Sequence, residues 1–173
     1  MNIYGVTGWK NAGKTSLMER LVTEITTRGY TVSTVKHAHH ATEIDHPGRD
    51  SYRHRQAGAQ QVILASPLRW AVMAELRGTP EPELNTLLAH LAPVDLVLVE
   101  GYKTAPHPKL EAYRPETGRP YLALENPTIR AIAQSGPPAA PCDAPALPVL
   151  DLNDTNALAD FVLCQVGLAK SGP

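Results

Sequence analysis

Apolar positions recur along this chain with two different periods. Asn2 to Thr7 is a short run rich in β-branched and aromatic residues that enters a glycine-rich stretch, which predicts a buried strand leading into a turn. From Lys14 to Arg28 the apolar residues are Leu17, Met18, Leu21, Val22 and Ile25. Their three- and four-residue spacing predicts a helix with one apolar face, stopped by Gly29. Thr31 to Lys36 predicts a second strand. Strand, helix and strand in succession form a βαβ unit with a right-handed crossover. His37 to Gly48 is polar and predicts a loop, and Asp50 to Ala57 a short helix. Gln60–Ala65 and Arg69–Leu76 predict two strands joined by a turn at Ser66-Pro67. Glu81–Leu91 predicts a helix. Val94 to Val99 is almost continuously apolar, the pattern of a central parallel strand covered on both faces, and Glu100-Gly101 lies just past its end.

The later chain is less regular. Pro106 to Pro148 holds ten of the 16 prolines, yet contains strand-like runs at Lys109–Tyr113, Tyr121–Leu124 and Ile129–Ala133. Pro137 to Pro148 predicts an irregular connection. A last helix is expected from a cap at Asn153 or Asp154 to about Leu168. Alternating strands and helices predict an α/β fold: a mostly parallel sheet flanked by helices, with an additional β-rich segment. At 173 residues the chain has the length of one domain, read as residues 1–173.

Charge narrows the function classes. Sixteen Lys and Arg against 17 Asp and Glu leave a formal charge of −1, which argues against bulk attraction to nucleic acid or an anionic membrane. Cys142 and Cys164 are too few and too far apart for a disulfide framework or a zinc clip, so both are expected as reduced thiols. There is no visible secretory signal and no membrane-length apolar run, so the expectation is a soluble cytoplasmic protein.

The chemistry concentrates in Gly8-Trp-Lys-Asn-Ala-Gly13-Lys14-Thr15, which matches G-x-x-x-x-G-K-[ST] between a predicted strand and a predicted helix. Glycines let the backbone curl so that several N–H groups converge on one anion, and the helix N-terminus adds free donors and partial positive charge. The expected phosphate cradle is Gly8, Lys10, Asn11, Ala12, Gly13, Lys14, Thr15 and Ser16. Lys14 is placed on the β- and γ-phosphates and the Thr15 hydroxyl on Mg²⁺. Glu100, ending the most apolar strand, is the candidate second metal-side group and, with Lys14, the candidate catalytic pair. Asp45 and Asp50, in the segment after the second strand, are further candidate metal contacts, though each alone reads first as a turn or cap residue, whereas Asp95 at the opposite end of its strand reads as structural.

Five of the seven histidines (His37, His39, His40, His46 and His54) cluster beside Lys36, Arg49, Arg53 and Arg55. The cluster suits either a transition metal or, as the favoured reading, an anion-binding patch that meets phosphates or a partner. No Asn-Lys-x-Asp occurs, so local sequence identifies no guanine reader. No water-positioning glutamine or arginine finger is assignable, so hydrolysis should be slow without a partner. Trp9 and Trp70 read as packing residues.

These residues also carry a resemblance. Residues 3–16, Val35-Lys-His-Ala-His-His40, Asp45-His-Pro-Gly-Arg-Asp-Ser51, Arg55-Gln-Ala-Gly-Ala59, Val97-Leu-Val-Glu-Gly-Tyr-Lys103 and Pro148-Val-Leu-Asp-Leu-Asn-Asp154 together resemble the molybdopterin-guanine dinucleotide biosynthesis adaptor proteins, the MobB family. The likeness implies a GTP-binding, homodimeric P-loop protein with weak GTPase activity. It further implies a role assisting a molybdenum cofactor nucleotidyltransferase that joins GMP to the pterin, and contact with molybdopterin-bearing proteins. The guanine preference rests on the resemblance. Three rival readings are a metal-delivery GTPase for a nickel or zinc enzyme, a small-molecule kinase using ATP, and a scaffold that hydrolyses nothing.

Overall fold

In β5 (Leu96–Glu100) the alternation of side chains decides the architecture. Leu96 and Leu98 enter one apolar cluster and Val97 and Val99 the other, and all four are fully buried. A strand buried on both faces needs helices on both sides. The computed structural model describes residues 1–38, 44–136 and 146–168. Its contacts divide into two compact units, one built from residues 1–37 with those from 84 onward, the other within residues 38–83.

The strands of the larger unit are β1 (Asn2–Thr7), β2 (Val32–Lys36), β5, β6 (Lys109–Tyr113), β7 (Ile129–Gln134) and β8 (Val149–Asp151). They form a six-stranded sheet in the order β2-β5-β1-β6-β7-β8, every neighbouring pair parallel. On one face lie α1 (Lys14–Thr27) and α4 (Thr155–Gln165), whose Leu17, Leu21, Ile25, Leu158 and Val162 pack on Tyr4, Val6, Leu96 and Leu98. On the other, Leu84 and Leu88 of α3 (Leu84–Leu88) pack on Val97 and Val99. The Asp154 side chain caps α4, accepting from Ala157 N at 3.0 Å.

The structural reading of Asp95 holds. Its carboxylate accepts from the N–H (2.7 Å) and hydroxyl (2.6 Å) of Thr31, and the same hydroxyl accepts from Asp95 N, tying the starts of β2 and β5. Hydrogen bonding by Thr31 holds this carboxyl below its usual range.

Three elements differ from expectation. Tyr121–Leu124 is no strand: a 3₁₀ turn spans Leu122–Leu124, its first N–H groups held by the buried Glu111 carboxylate, which accepts from Leu122 (2.8 Å) and Ala123 (2.9 Å). A long-range partner supplied by β6 thus overrides a β-like composition. β8 has no counterpart among the predicted strands, being three residues at a sheet edge. The helix expected over Glu81–Leu91 shortens to α3.

The smaller unit holds α2 (Asp50–Gln56) and a hairpin of β3 (Gln61–Ala65) and β4 (Trp70–Ala74), in register from Gln61 opposite Ala74 to Ala65 opposite Trp70. The turn closes on Ser66, whose hydroxyl accepts from Arg69 N at 3.1 Å. The facing pair Val62 and Met73 is buried, while Ile63, Val72 and Trp70 stay exposed. Among the described residues, no helix is long and apolar enough to cross a membrane.

Candidate nucleotide site

β1 ends beside β6 and β5 on either side, so the loop after it opens at the carboxyl edge of the sheet, where ligands bind in open parallel sheets. Its turn depends on Gly8, which has φ +145°. A Cβ at Gly8 would lie 2.4 Å from the carbonyl oxygen of Ala112 in β6. Asn11 adopts the left-handed region (φ 66°), which asparagine tolerates better than most residues. Ala12 is buried in the core and anchors the loop, with its N–H on the Trp9 carbonyl at 3.2 Å. Lys10 and Asn11 are exposed at the tip. Gly13 precedes the first turn of α1, where Thr15 and Ser16 face solvent.

Lys14 folds back over the loop and donates to the Trp9 carbonyl at 2.7 Å. Burial pushes its ammonium down from the ordinary value; Glu100 opposes that shift, and the nearby Lys103 and Lys36 add to it. Glu100 reaches the site from β5 with its side chain mostly buried. One carboxylate oxygen lies 3.4 Å from Thr15 Oγ1, and the other 3.6 Å from Lys36 Nζ. A hydroxyl and a carboxylate converging beside a phosphate loop form a hard oxygen donor pair, which suits Mg²⁺. The structure therefore brings Lys14, Thr15 and Glu100 together across 85 residues of sequence.

Asp50 belongs to the smaller unit, at the first turn of α2, with its carboxylate 3.9 Å from Arg53 and largely exposed. Arg55, assigned to the anion-binding patch, is instead clamped between the carboxylates of Asp45 and Glu75. Hydrogen bonding by Arg55 holds the Asp45 carboxyl below the usual carboxylate range. His37 stacks on Tyr102, with ring centroids 4.7 Å apart. His39, His40 and Cys142 lie outside the described residues. Among the described residues no three His, Cys, Asp or Glu side chains form a group able to hold a metal ion.

Further cations that no local motif announces lie around the loop. Trp9 is fixed by a 2.7 Å bond from its indole N–H to the Pro120 carbonyl, with Lys103 Nζ 4.6 Å and Arg119 Cζ 5.5 Å from its ring centroid. Arg114 overlies Gly13: a Cβ there would lie 3.2 Å from the guanidinium Nε. The available signal was positional, since Arg114 directly follows β6 at the edge where Gly8 follows β1.

Comparison with known proteins agrees with this geometry. Residues 3–135 match the family model described as molybdopterin guanine dinucleotide synthesis protein B, MobB. A molybdopterin-guanine dinucleotide biosynthesis adapter protein of Haemophilus influenzae is 39% identical over 163 residues, covering 92% of this chain and 86% of that protein. One of Escherichia coli is 37% identical over 161 residues, covering 90% and 87%. Among solved structures, a MobB homologue from Bacillus stearothermophilus superposes with a TM-score of 0.72 at 30% identity, covering 98% of this chain and all of that one. Bacillus subtilis MobB reaches 0.75 at 25% identity, covering 96% and 98%. The chain belongs to the MobB family of adapters in molybdopterin guanine dinucleotide biosynthesis.

Proposed function

We propose that this protein is a cytoplasmic GTP-binding adaptor that assists a nucleotidyltransferase in attaching GMP to molybdopterin, with weak Mg²⁺-dependent GTPase activity. The observation that carries this reading is the convergence of Lys14, Thr15 and Glu100 at the carboxyl edge of a MobB-type sheet. Thr15 and Glu100 would hold Mg²⁺. The ion would screen the phosphates, while Lys14 meets the β- and γ-oxygens and the loop N–H groups orient them. Residues 1–173 would act as one nucleotide-binding domain in which the smaller unit is an insertion between β2 and α3. Molybdopterin-bearing proteins are the expected downstream contacts.

Calorimetric titration with GTP and with ATP, each with and without Mg²⁺, tests this. GTP should bind more tightly than ATP, and Mg²⁺ should strengthen it. Lys14→Ala removes charge-assisted hydrogen bonds worth about 1.5–3 kcal/mol, a loss of about ten- to hundredfold in affinity. Equal affinity for the two nucleotides, or indifference to Lys14→Ala, would defeat the reading.

The adaptor would work as a homodimer. Support comes from one face of the β3–β4 hairpin, where Ile63 (68% exposed), Trp70 (67%) and Val72 (41%) form an uncovered apolar strip. A second copy would bury it. Trp70→Asp should weaken self-association by about thirtyfold, the ~2 kcal/mol of a buried aromatic anchor. Sedimentation equilibrium checks this, and an unchanged dimer would place the interface elsewhere.

A further inference from the structure

We infer that Lys103 is a second cation of the phosphate site: its ammonium serves the terminal phosphate of the nucleotide, so that the site tells GTP from GDP. This rests on the GTP-binding reading above and adds to it the residue that senses which nucleotide is held.

Two ammonium groups converge on one loop residue. Lys14 Nζ donates to the Trp9 carbonyl at 2.7 Å, and Lys103 Nζ lies 4.6 Å from the centroid of the Trp9 ring. The carboxylate of the site, Glu100, is already engaged by Thr15 and Lys36. Burial comes first in pushing the Lys14 ammonium down, and the Lys103 charge adds to the push. Like charges gathered this way oppose each other until an anion comes between them. A polyphosphate is such an anion, and a lysine ammonium on its flexible stem meets it as a point charge. Lys103 leaves the same strand as Glu100, three residues further on. It therefore comes from the side of the loop where Thr15 and Glu100 would hold Mg²⁺ against the β- and γ-phosphates.

The segment that carries Lys103 is costly to build. Gly101 has φ +92°, and a Cβ there would lie 2.9 Å from the Cβ of His37. Tyr102 has φ +46°, a left-handed conformation that a bulky side chain adopts only under strain. The turn is closed by a 3.1 Å bond from Ala105 N to the Tyr102 carbonyl, and the Tyr102 ring stacks on His37. The Lys103 carbonyl accepts from Asn126 Nδ2 at 2.8 Å. The fully buried Lys109 ammonium donates to the carbonyls of Ala105 and His107 and to Thr128 Oγ1. Thr128 Oγ1 in turn donates to Asn126 Oδ1 at 2.6 Å. A buried ammonium held by neutral oxygens is expensive, and so is a left-handed tyrosine. Both costs go into fixing the backbone on either side of Lys103, whose side chain stays half-buried. The indole is then a resting place. A cation–π contact at a half-exposed site is weaker than a charge-assisted hydrogen bond to phosphate, so a terminal phosphate draws the ammonium off the ring.

Calorimetry on the full-length protein with Mg²⁺ tests this by comparing GTP with GDP for the wild type, Lys103→Met and Lys103→Arg. Methionine keeps an unbranched stem over Trp9 and removes the charge. The wild type should bind GTP more tightly than GDP. Lys103→Met should weaken GTP about tenfold or more and GDP by less than about threefold, the loss of one charge-assisted hydrogen bond to the terminal phosphate. Lys103→Arg keeps the charge and should keep most of the preference. A Lys103 that only supports the loop would weaken both nucleotides alike in Lys103→Met, and that result would overturn the inference. So would GTP affinity untouched by Lys103→Met, a wild type indifferent to the terminal phosphate, or a preference lost equally in the arginine variant. Failure of the wild type to bind GTP at all, or indifference to Lys14→Ala, would instead strike the parent reading, so the two failures are distinct.

Discussion

Gly8→Ala is expected to abolish nucleotide binding and to destabilise the larger unit by about 2–6 kcal/mol. Two costs combine. A φ of +145° is strained for any residue with a side chain, at about 1–3 kcal/mol. The new methyl would also sit 2.4 Å from the Ala112 carbonyl oxygen, an atom of sheet backbone that cannot swing aside. Relieving such an overlap shifts backbone at a further cost of about 1–3 kcal/mol. Either β1 and β6 separate or the turn after β1 reopens, and both displace the N–H groups that should face the phosphates. Gly29→Ala is the control. Gly29 also has positive φ (+89°), but nothing lies within 4 Å of where its new methyl would stand, so it should lose only about 1 kcal/mol and keep GTP binding. Urea denaturation and calorimetry on both variants check this; equal losses would show that backbone conformation alone makes Gly8 necessary.

What was legible in the chain was whatever is local. The loop motif and its flanking strand and helix are contiguous, so spacing alone placed Gly8 to Ser16. Glu100 could be ranked because a strand buried on both faces announces itself by an unbroken apolar run, and its end is the site edge. The readings that needed a partner from far away did not come through. Arg55 sits in a basic stretch and looks available, but Asp45 and Glu75, ten positions before and 20 after, neutralise it. Tyr121–Leu124 reads as strand until Glu111 draws its N–H groups into a turn. Arg114 and Arg119 gain meaning only once β6 is laid beside β1, since sheet order is not written in any local pattern.

Below neutral pH, His107 is expected to make the fold acid-sensitive, at a cost of roughly 3 kcal/mol between pH 6.5 and pH 4. Both of its ring nitrogens are buried without a hydrogen-bond partner among the described residues. Its neighbour Lys109 is fully buried, its ammonium donating to the carbonyls of Ala105 and His107 and to Thr128 Oγ1. Burial first, and the Lys109 charge second, push the imidazole down to about 4. Burial pushes Lys109 down to about 8, so below neutrality it remains charged and continues to oppose an imidazolium beside it. The sign follows from proton uptake. In the unfolded chain His107 binds a proton near pH 6.5. In the folded protein it does not until about pH 4. Across that window the unfolded state holds more protons, so stability is complete above pH 6.5 and falls as pH drops toward 4. A gap of about 2.5 pH units at 1.36 kcal/mol each sets the size as an upper bound. His107→Leu keeps a side chain of apolar bulk and removes the proton site. Urea midpoints of the two proteins, compared from pH 7.5 to pH 4, should diverge progressively below pH 6.5, the variant losing less. Carboxylates such as Asp95 titrate in both and cancel in the difference. Parallel curves would mean that the imidazole gains its proton in the folded state as readily as in the unfolded one, and so that water reaches the ring beside Gly5.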